Sequence, residues 1–179
     1  MKSIETERLL LRKFTTDDLY DLYEYARDER IGPNAGWSPH KSLDESGKIL
    51  ENFIKNDEVF ALHHKLDNKV IGSLGLHYRE LDQYGLVYEI GYVLSHTYQG
   101  KGLMNEAIIA LIDYCFFETE LEELYVGHFS ENIKSRKVIE RIKFTYLKDI
   151  EYQSRDYGVK TTKLYVLKKA DYLKERDKL

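Results

Sequence analysis

The 179-residue chain holds a single cysteine, two prolines and no long apolar run. One cysteine cannot form an internal disulfide. Within Tyr114-Cys115-Phe116-Phe117, Cys115 reads as a buried thiol of a reducing compartment rather than as a nucleophile. Two prolines, Pro33 and Pro39, with no Gly/Ser tract and no repeat, leave no linker and imply one domain over residues 1–179. No segment approaches the roughly 20 apolar residues that span a bilayer. The first run, MKSIETERLLLRKF, is broken by Arg8, Arg12 and Lys13, so neither export nor membrane insertion is expected and a cytoplasmic location is. A net charge of -4 supplies no field for a phosphate backbone, which argues against nucleic acid as a partner. No His, Cys, Asp and Glu grouping has metal-ligand spacing, so no metal is expected.

What is present suits a globular domain. With 42% hydrophobic and 32% charged residues the chain is neither disordered nor fibrous. At this length folding buries roughly 70% of the unfolded surface, enough for a core without staples.

Leu9 to Phe14 reads as a strand, and Thr16 to Asp28 as an amphipathic helix carrying Leu19, Leu22, Tyr23 and Ala26. A loop from Gly32 to His40 follows. Ser42 and Glu45 form a capping-box pattern before a second helix with Ile49, Leu50, Phe53 and Ile54. Val59 to His64 and Val70 to Leu76 read as a hairpin across Asp67-Asn68, with His77 at the strand's end. Val87 to Leu94, a glycine turn, a helix from Leu103 to about Glu118 and a strand from Leu124 to His128 form a parallel βαβ unit. Asn132 opens a helix with Val138, Ile139 and Ile142. Phe144 to Tyr152 and Val159 to Leu167 close a last hairpin. The class is α+β, or α/β with a mixed sheet.

The segment from Glu89 to Ala107 carries most of the chemistry. Gly100 and Gly102 let backbone approach a ligand, and the helix they open offers free amides and a positive dipole end, which suit a diphosphate. Lys101 adds a cation. A P-loop would need a Gly-Lys-Ser/Thr ending, and the dinucleotide fingerprint a third glycine where Asn105 stands. A purely structural turn fits the glycines equally well.

Taken together, Glu5-Thr6-Glu7-Arg8-Leu9-Leu10-Leu11-Arg12, Val70-Ile71-Gly72, Glu89-Ile90-Gly91-Tyr92, Tyr98 to Ala107 and Asn132 to Arg141 resemble the GNAT superfamily of acetyl-CoA-dependent N-acetyltransferases, in particular the RimJ/RimL branch that acetylates ribosomal-protein N-termini. Thr97 stands where the family's diphosphate motif has Arg or Gln, and Lys143 where it has Gly before Phe144. The resemblance implies one GNAT domain with a core at about residues 8–168 and a C-terminal tail at 169–179. Its sheet would be mixed and mostly antiparallel, with about six to seven strands, two of them parallel, central and splayed, and about four flanking helices.

The resemblance further implies acetyl-CoA as cosubstrate. Backbone of Tyr92, Val93 and Leu94 would meet its pantetheine arm, and amides from Gln99 through Gly100, Lys101, Gly102, Leu103 and Met104 its diphosphate. Asn132 and Ser135 would lie beside it. Lys134, Arg136 and Lys137 read more simply as a solvated basic face.

Amide formation needs a neutral amine and a proton for the departing thiolate. Glu89 shares a strand face with Val87, Gly91 and Val93, apolar surroundings that raise a carboxylate toward a useful base; a structural ion pair is its alternative. Ser135 is the candidate acid, on one side of a helix with Asn132 and Ile139; a hydroxyl bonded back to its own helix is the alternative. Trp37, His40 and His77 are candidates for the acceptor pocket, against a purely structural role for each. Fifteen tyrosines exceed what a core needs and suit a pocket or an interface, so a homodimer is compatible. The acceptor reads as a protein N-terminal α-amine, with a small amine as the alternative and a non-catalytic acyl-CoA-binding module as a rival of another class.

Overall fold

Burial follows strand position in an eight-stranded sheet: in the strand at Leu9–Lys13, near one edge, Leu9 and Leu11 are fully buried with Leu10 partly exposed between them, whereas Val59 to Leu62 and Val70 to Gly75, further in, are buried in continuous runs. The computed structural model describes residues 2–81 and 84–176. The strands are β1 (Ile4–Glu5), β2 (Leu9–Lys13), β3 (Val59–His64), β4 (Lys69–Leu81), β5 (Gly85–Leu94), β6 (Glu123–Phe129), β7 (Thr145–Gln153) and β8 (Val159–Lys168). The helices are α1 (Leu19–Ala26), α2 (Gly32–Ala35), α3 (Leu43–Asn56), α4 (Leu103–Glu118), α5 (Ile133–Arg141) and α6 (Lys169–Glu175). Strand order is β1-β2-β3-β4-β5-β6-β8-β7, antiparallel throughout except for the parallel pair β5 and β6.

The sheet carries a core on each face, with a third, smaller cluster at Val87, Tyr125, Leu164 and Val166. On one face α4 buries Leu103, Ala107, Ile108, Leu111 and Ile112 against Ile90, Leu94 and Val126. On the other, α1 and α3 bring Leu22, Tyr25 and Leu50 to Val59, Ala61 and Val93. Ser42 caps α3 by accepting from the Glu45 amide at 3.2 Å, while the Glu45 carboxylate reaches the Lys41 amide at 2.7 Å.

The counts exceed the expected ones by one strand and two helices. Two-residue β1 is too short to show a period, α2 is a single turn started by Pro33 and closed by Gly36 at φ +87°, and α6 lies in the segment read as a tail. Tyr172 docks α6: it is 1% exposed, its ring is 5.7 Å from Phe116, and its hydroxyl donates to Asp113 Oδ1 at 2.9 Å. Residues 177–179 lie outside the described residues. The β4–β5 hairpin also runs past Leu76, because the polar residues His77, Arg79 and Glu80 alternate about a Tyr78–Tyr88 cross-strand ring contact at 5.0 Å. His77 therefore sits inside β4 rather than at its end.

Candidate functional site

The cleft arises from unequal pairing. β5 bonds β4 along its whole length, from Gly85 to Leu94, and β6 bonds β8 from Glu123 to Phe129. Between themselves, β5 and β6 match only at Glu89 with Tyr125 and Ile90 with Val126. Past Ile90 the two strands part, each following its outer neighbour, and a cavity of about 690 Å³ opens beside Gly91 to Leu94. The edge of Tyr92, Val93 and Leu94 lines this gap.

Below the gap the chain makes one 3₁₀ turn at His96–Tyr98 and passes through Gly100 and Gly102, both at φ +77°, before α4 begins. That left-handed backbone favours glycine. The amides of Gly100, Lys101, Gly102, Leu103 and Met104 have no acceptor among the described residues, and they stand at the positive end of a 16-residue helix. Gln99 differs from expectation: its amide already donates to His96 O at 3.2 Å. Its side chain acts as a bracket instead, Nε2 donating to Leu94 O at 2.9 Å and Oε1 accepting from Lys134 Nζ at 2.8 Å. Lys134 thus crosses to the glycine turn rather than lying on a free solvated face, while Arg136 pairs with Glu140 at 2.7 Å. The Lys101 ammonium rests over the Tyr98 ring, 5.2 Å from its centroid.

The turn is anchored by residues to which no role was assigned from sequence. Arg8 donates from Nη1 to Lys101 O at 2.9 Å and pairs through Nε with Glu106 at 2.6 Å. The same carboxylate accepts from Thr6 Oγ1 at 2.6 Å and from the Arg8 amide at 2.8 Å. The opening Glu5-to-Arg12 segment is therefore a clamp on the first turn of α4. The signal was the Thr6-Glu7-Arg8 motif itself, whose partner 98 residues away only the fold reveals.

Glu89 occupies the last but one paired position before the gap, on the face shared with Gly91 and Val93. Its side chain is 15% exposed and lies 2.9 Å from Arg79 Nε through Oε2. Burial pushes the carboxyl above its usual range, and the guanidinium holds part of that rise down. Candidate base and ion-pair member are thus one residue.

Ser135 projects from α5 on the opposite face, beside α4. Its Oγ is 2.7 Å from the Tyr92 hydroxyl, so it is not spent on its own helix. Its amide donates at 3.1 Å to Asn132 Oδ1, which makes Asn132 the N-cap; Asn132 Nδ2 also donates to Asn34 O at 3.3 Å. Burial pushes the Tyr92 phenol well above its ordinary value, with Ser135 offsetting part of it, so it stays protonated.

The acceptor-side candidates divide. Trp37 lies across Gly32, whose hydrogen a Cβ could not replace without meeting the ring, and faces His40 at 5.3 Å between centroids. His40 lines the cavity, is 6% exposed and is bonded through Nδ1 to Ser46 Oγ at 2.7 Å. His77 stands directly across from Glu89 and folds over Gly75 and Gly91, where absent side chains make room for it. Cys115 is fully buried in α4 with its thiol pushed up to about 12 by burial, which suits no nucleophile.

A parallel strand pair that parts over a glycine-led helix, with a buried carboxylate on one face and a hydroxyl pair on the other, defines an acyl-transferring fold. The acetyltransferase (GNAT) domain family matches residues 8–145, and the chain belongs to that family. The N-acetyltransferase YnaD of Bacillus subtilis (strain 168), itself uncharacterized, is 30% identical over 139 residues, covering 78% of this chain and 80% of its own. Two solved structures share the fold. The ribosomal-protein-S5-alanine acetyltransferase from Vibrio fischeri has a TM-score of 0.72 at 22% identity, covering 96% of this chain and 99% of its own. The microcin C7 self-immunity acetyltransferase MccE, in complex with acetyl-CoA and AMP, has a TM-score of 0.75 at 18% identity, covering 91% of this chain and 93% of its own. The protein is an acetyl-transferring enzyme, which sets aside a non-catalytic binding module. The unsatisfied turn amides and the open β5 edge fit acetyl-CoA, the donor used by this family.

Proposed function

We propose that this enzyme acetylates a protein N-terminal α-amine by direct transfer, as the RimJ/RimL branch does. The observation that carries direct transfer is the gap beyond Ile90, which has Glu89 on one side of the sheet and the Ser135–Tyr92 pair on the other. Likeness in fold to the ribosomal-protein-S5-alanine acetyltransferase supports the choice of acceptor.

Acetyl-CoA, when bound, supplies the activated thioester. Amides from Gly100 to Met104 hold its diphosphate, and Tyr92 to Leu94 hydrogen-bond its pantetheine arm. Asn132 lies alongside. Glu89 takes a proton from the acceptor ammonium, directly or through one water, leaving a neutral amine to attack. The Ser135 hydroxyl, hydrogen-bonded to the Tyr92 phenol, would give its proton to the departing sulfur and regain one from solvent as the acetylated nitrogen sheds its second proton. Trp37 and His77 shape the acceptor side. No metal takes part in this scheme, and the setting is the cytoplasm.

A small-molecule amine is the second reading, favoured by the roof of the cleft. Helix α2 and the loop after it are both fastened: Asn132 Nδ2 donates to Asn34 O at 3.3 Å, and the Asp156 carboxylate accepts from the Ser38 amide at 2.6 Å. The fastened segment carries Ala35 and Trp37 in the cavity lining, a fixed wall that suits a small acceptor. Thiol release measured with alanyl and seryl N-terminal peptides, polyamines and aminoglycosides separates the two. Peptides with the highest kcat/KM support the proposal, and turnover confined to small amines overturns it. Glu89→Gln and Ser135→Ala each lower the rate about 100-fold or more; an unchanged rate in both removes these roles.

A further inference from the structure

Arg79 lies on the stretch of β4 beyond Leu76, with its side chain on the same face as His77 and diagonal to Glu89 across the hairpin. Its Nε stands 2.9 Å from Glu89 Oε2, but the N–H does not point along that line, so the contact is an ion pair without a hydrogen bond. From the other side, Nη1 donates to the Tyr152 hydroxyl of β7 at 3.3 Å, and the guanidinium carbon lies 5.6 Å from the Tyr152 ring centroid. The second carboxylate oxygen, Oε1, is turned toward β6. It lies 3.4 Å from where a Cβ on Gly127 would stand, so a larger residue at that position would crowd it.

We propose that Arg79 is a positioning residue for the transfer: braced by Tyr152, it holds Oε2 of Glu89 and leaves Oε1 free toward the gap to accept the proton of the acceptor. The proposal rests on the reading of Glu89 as the base.

The surrounding charges single out Arg79. On β4, His77 faces Glu89 in register, with its Nδ1 3.5 Å from Glu58; burial and the nearby Arg79 hold it below its ordinary value, so it is neutral at pH 7. On β6, Tyr125 gives its hydroxyl to Glu123 at 2.9 Å. A second cavity that Arg79 and Glu89 also line has Glu80, Tyr84, Lys148, Asp149 and Glu151 in its lining, and Asp149 is paired with Lys163 at 3.0 Å. Arg79 is the charge that acts on the Glu89 carboxyl, and it opposes the rise that burial imposes. A monodentate pair suits a working base, because a two-pronged fork would occupy both oxygens and leave none for the substrate.

The test reads the carboxyl itself. In protein labelled with ¹³C at glutamate carboxyls, the Glu89 resonance is identified by its loss in Glu89→Gln and titrated in the wild type, Arg79→Lys, Arg79→Met and Tyr152→Phe. The expected midpoint rises by about one pH unit or more in Arg79→Met, rises less in Tyr152→Phe and is largely restored in Arg79→Lys. With acetyl-CoA and one fixed acceptor, the acid limb of kcat/KM moves the same way. Arg79→Met loses up to about tenfold on the acid limb for a one-unit rise and regains the wild-type rate at pH above both midpoints. An unmoved midpoint in Arg79→Met, or a loss of rate equal at every pH, overturns the proposal. If Arg79→Met does not fold, the Tyr152→Phe and Arg79→Lys titrations decide. A moved midpoint with Glu89→Gln fully active would instead remove Glu89 as base, so the two failures are told apart.

Discussion

The hydroxyl of Tyr92 and the Oγ of Ser135 are 2.7 Å apart, joining the open edge of β5 to the first turn of α5. Tyr92→Phe keeps the ring packing and removes only this link. The expected result is a fall in kcat of about tenfold, less than that of Ser135→Ala. The double variant is expected to be no slower than Ser135→Ala alone, because the two hydroxyls act as one unit. Steady-state kinetics on the three variants checks this, and strictly multiplicative losses would show the hydroxyls to be independent.

Glu106 ties Thr6 and Arg8 to the start of α4. Burial alone would raise its carboxyl, but the bonds from Thr6 and Arg8 outweigh it and hold the group below its ordinary value. A depressed carboxylate stabilises the fold above the unfolded value near 4.5 and loses that contribution as pH falls through the folded value. Glu106→Gln should therefore cost about 1–3 kcal/mol at pH 7, a difference that narrows below pH 4.5. It should also weaken acetyl-CoA binding, since Arg8 loses its anchor beside Lys101 O. Denaturant unfolding at pH 7 and pH 3.5, with calorimetric titration of acetyl-CoA, reads both.

His40 and His77 are each held below the ordinary histidine value, by burial first. The unfolded chain then takes up protons before the native state does as pH falls below about 6.5. Stability conferred by the neutral rings is full above that pH and lost on acidification through the folded values. Tm is expected to fall between pH 7 and pH 5, and less steeply in His40→Gln. A Tm series in constant ionic strength checks the slope, and identical slopes would exclude His40 from the effect.

Lys143, just past α5, adopts φ +71°, a left-handed conformation that costs a side chain about 1–2 kcal/mol. The turn is formed all the same, with the Phe144 amide donating to Ile139 O at 3.3 Å. Lys143→Gly removes that strain and should raise stability by about 1 kcal/mol without altering kcat, part of the gain being offset by the freer unfolded chain. Urea unfolding is the check, and a loss of stability would mean that the lysine side chain makes a compensating contact.

Several elements could be read from the chain directly because their causes are local. Helix α4 runs over Leu103–Glu118 as read, since glycines precede an unbroken apolar helical run; Asn132 caps α5 by bonding within its own turn. The parallel β5-α4-β6 unit follows from strand, turn, helix and strand in succession. Local pattern failed where polar residues continue a strand, as at His77 to Leu81, and where an element is too short to show a period, as at β1.

The sequence by itself determined the order of the longer elements, the glycine turn with its free amides, and the strand and helix that carry Glu89 and Ser135. Only the tertiary structure decided what those residues meet. Arg79 reaches Glu89 because the hairpin is longer than its apolar run, Tyr92 meets Ser135 because α5 packs over the parted strand, and Arg8 finds Glu106 because α4 packs against β1 and β2. The parting of β5 from β6 depends on how far each is bonded to its other neighbour, a competition among four strands that no stretch of sequence encodes alone.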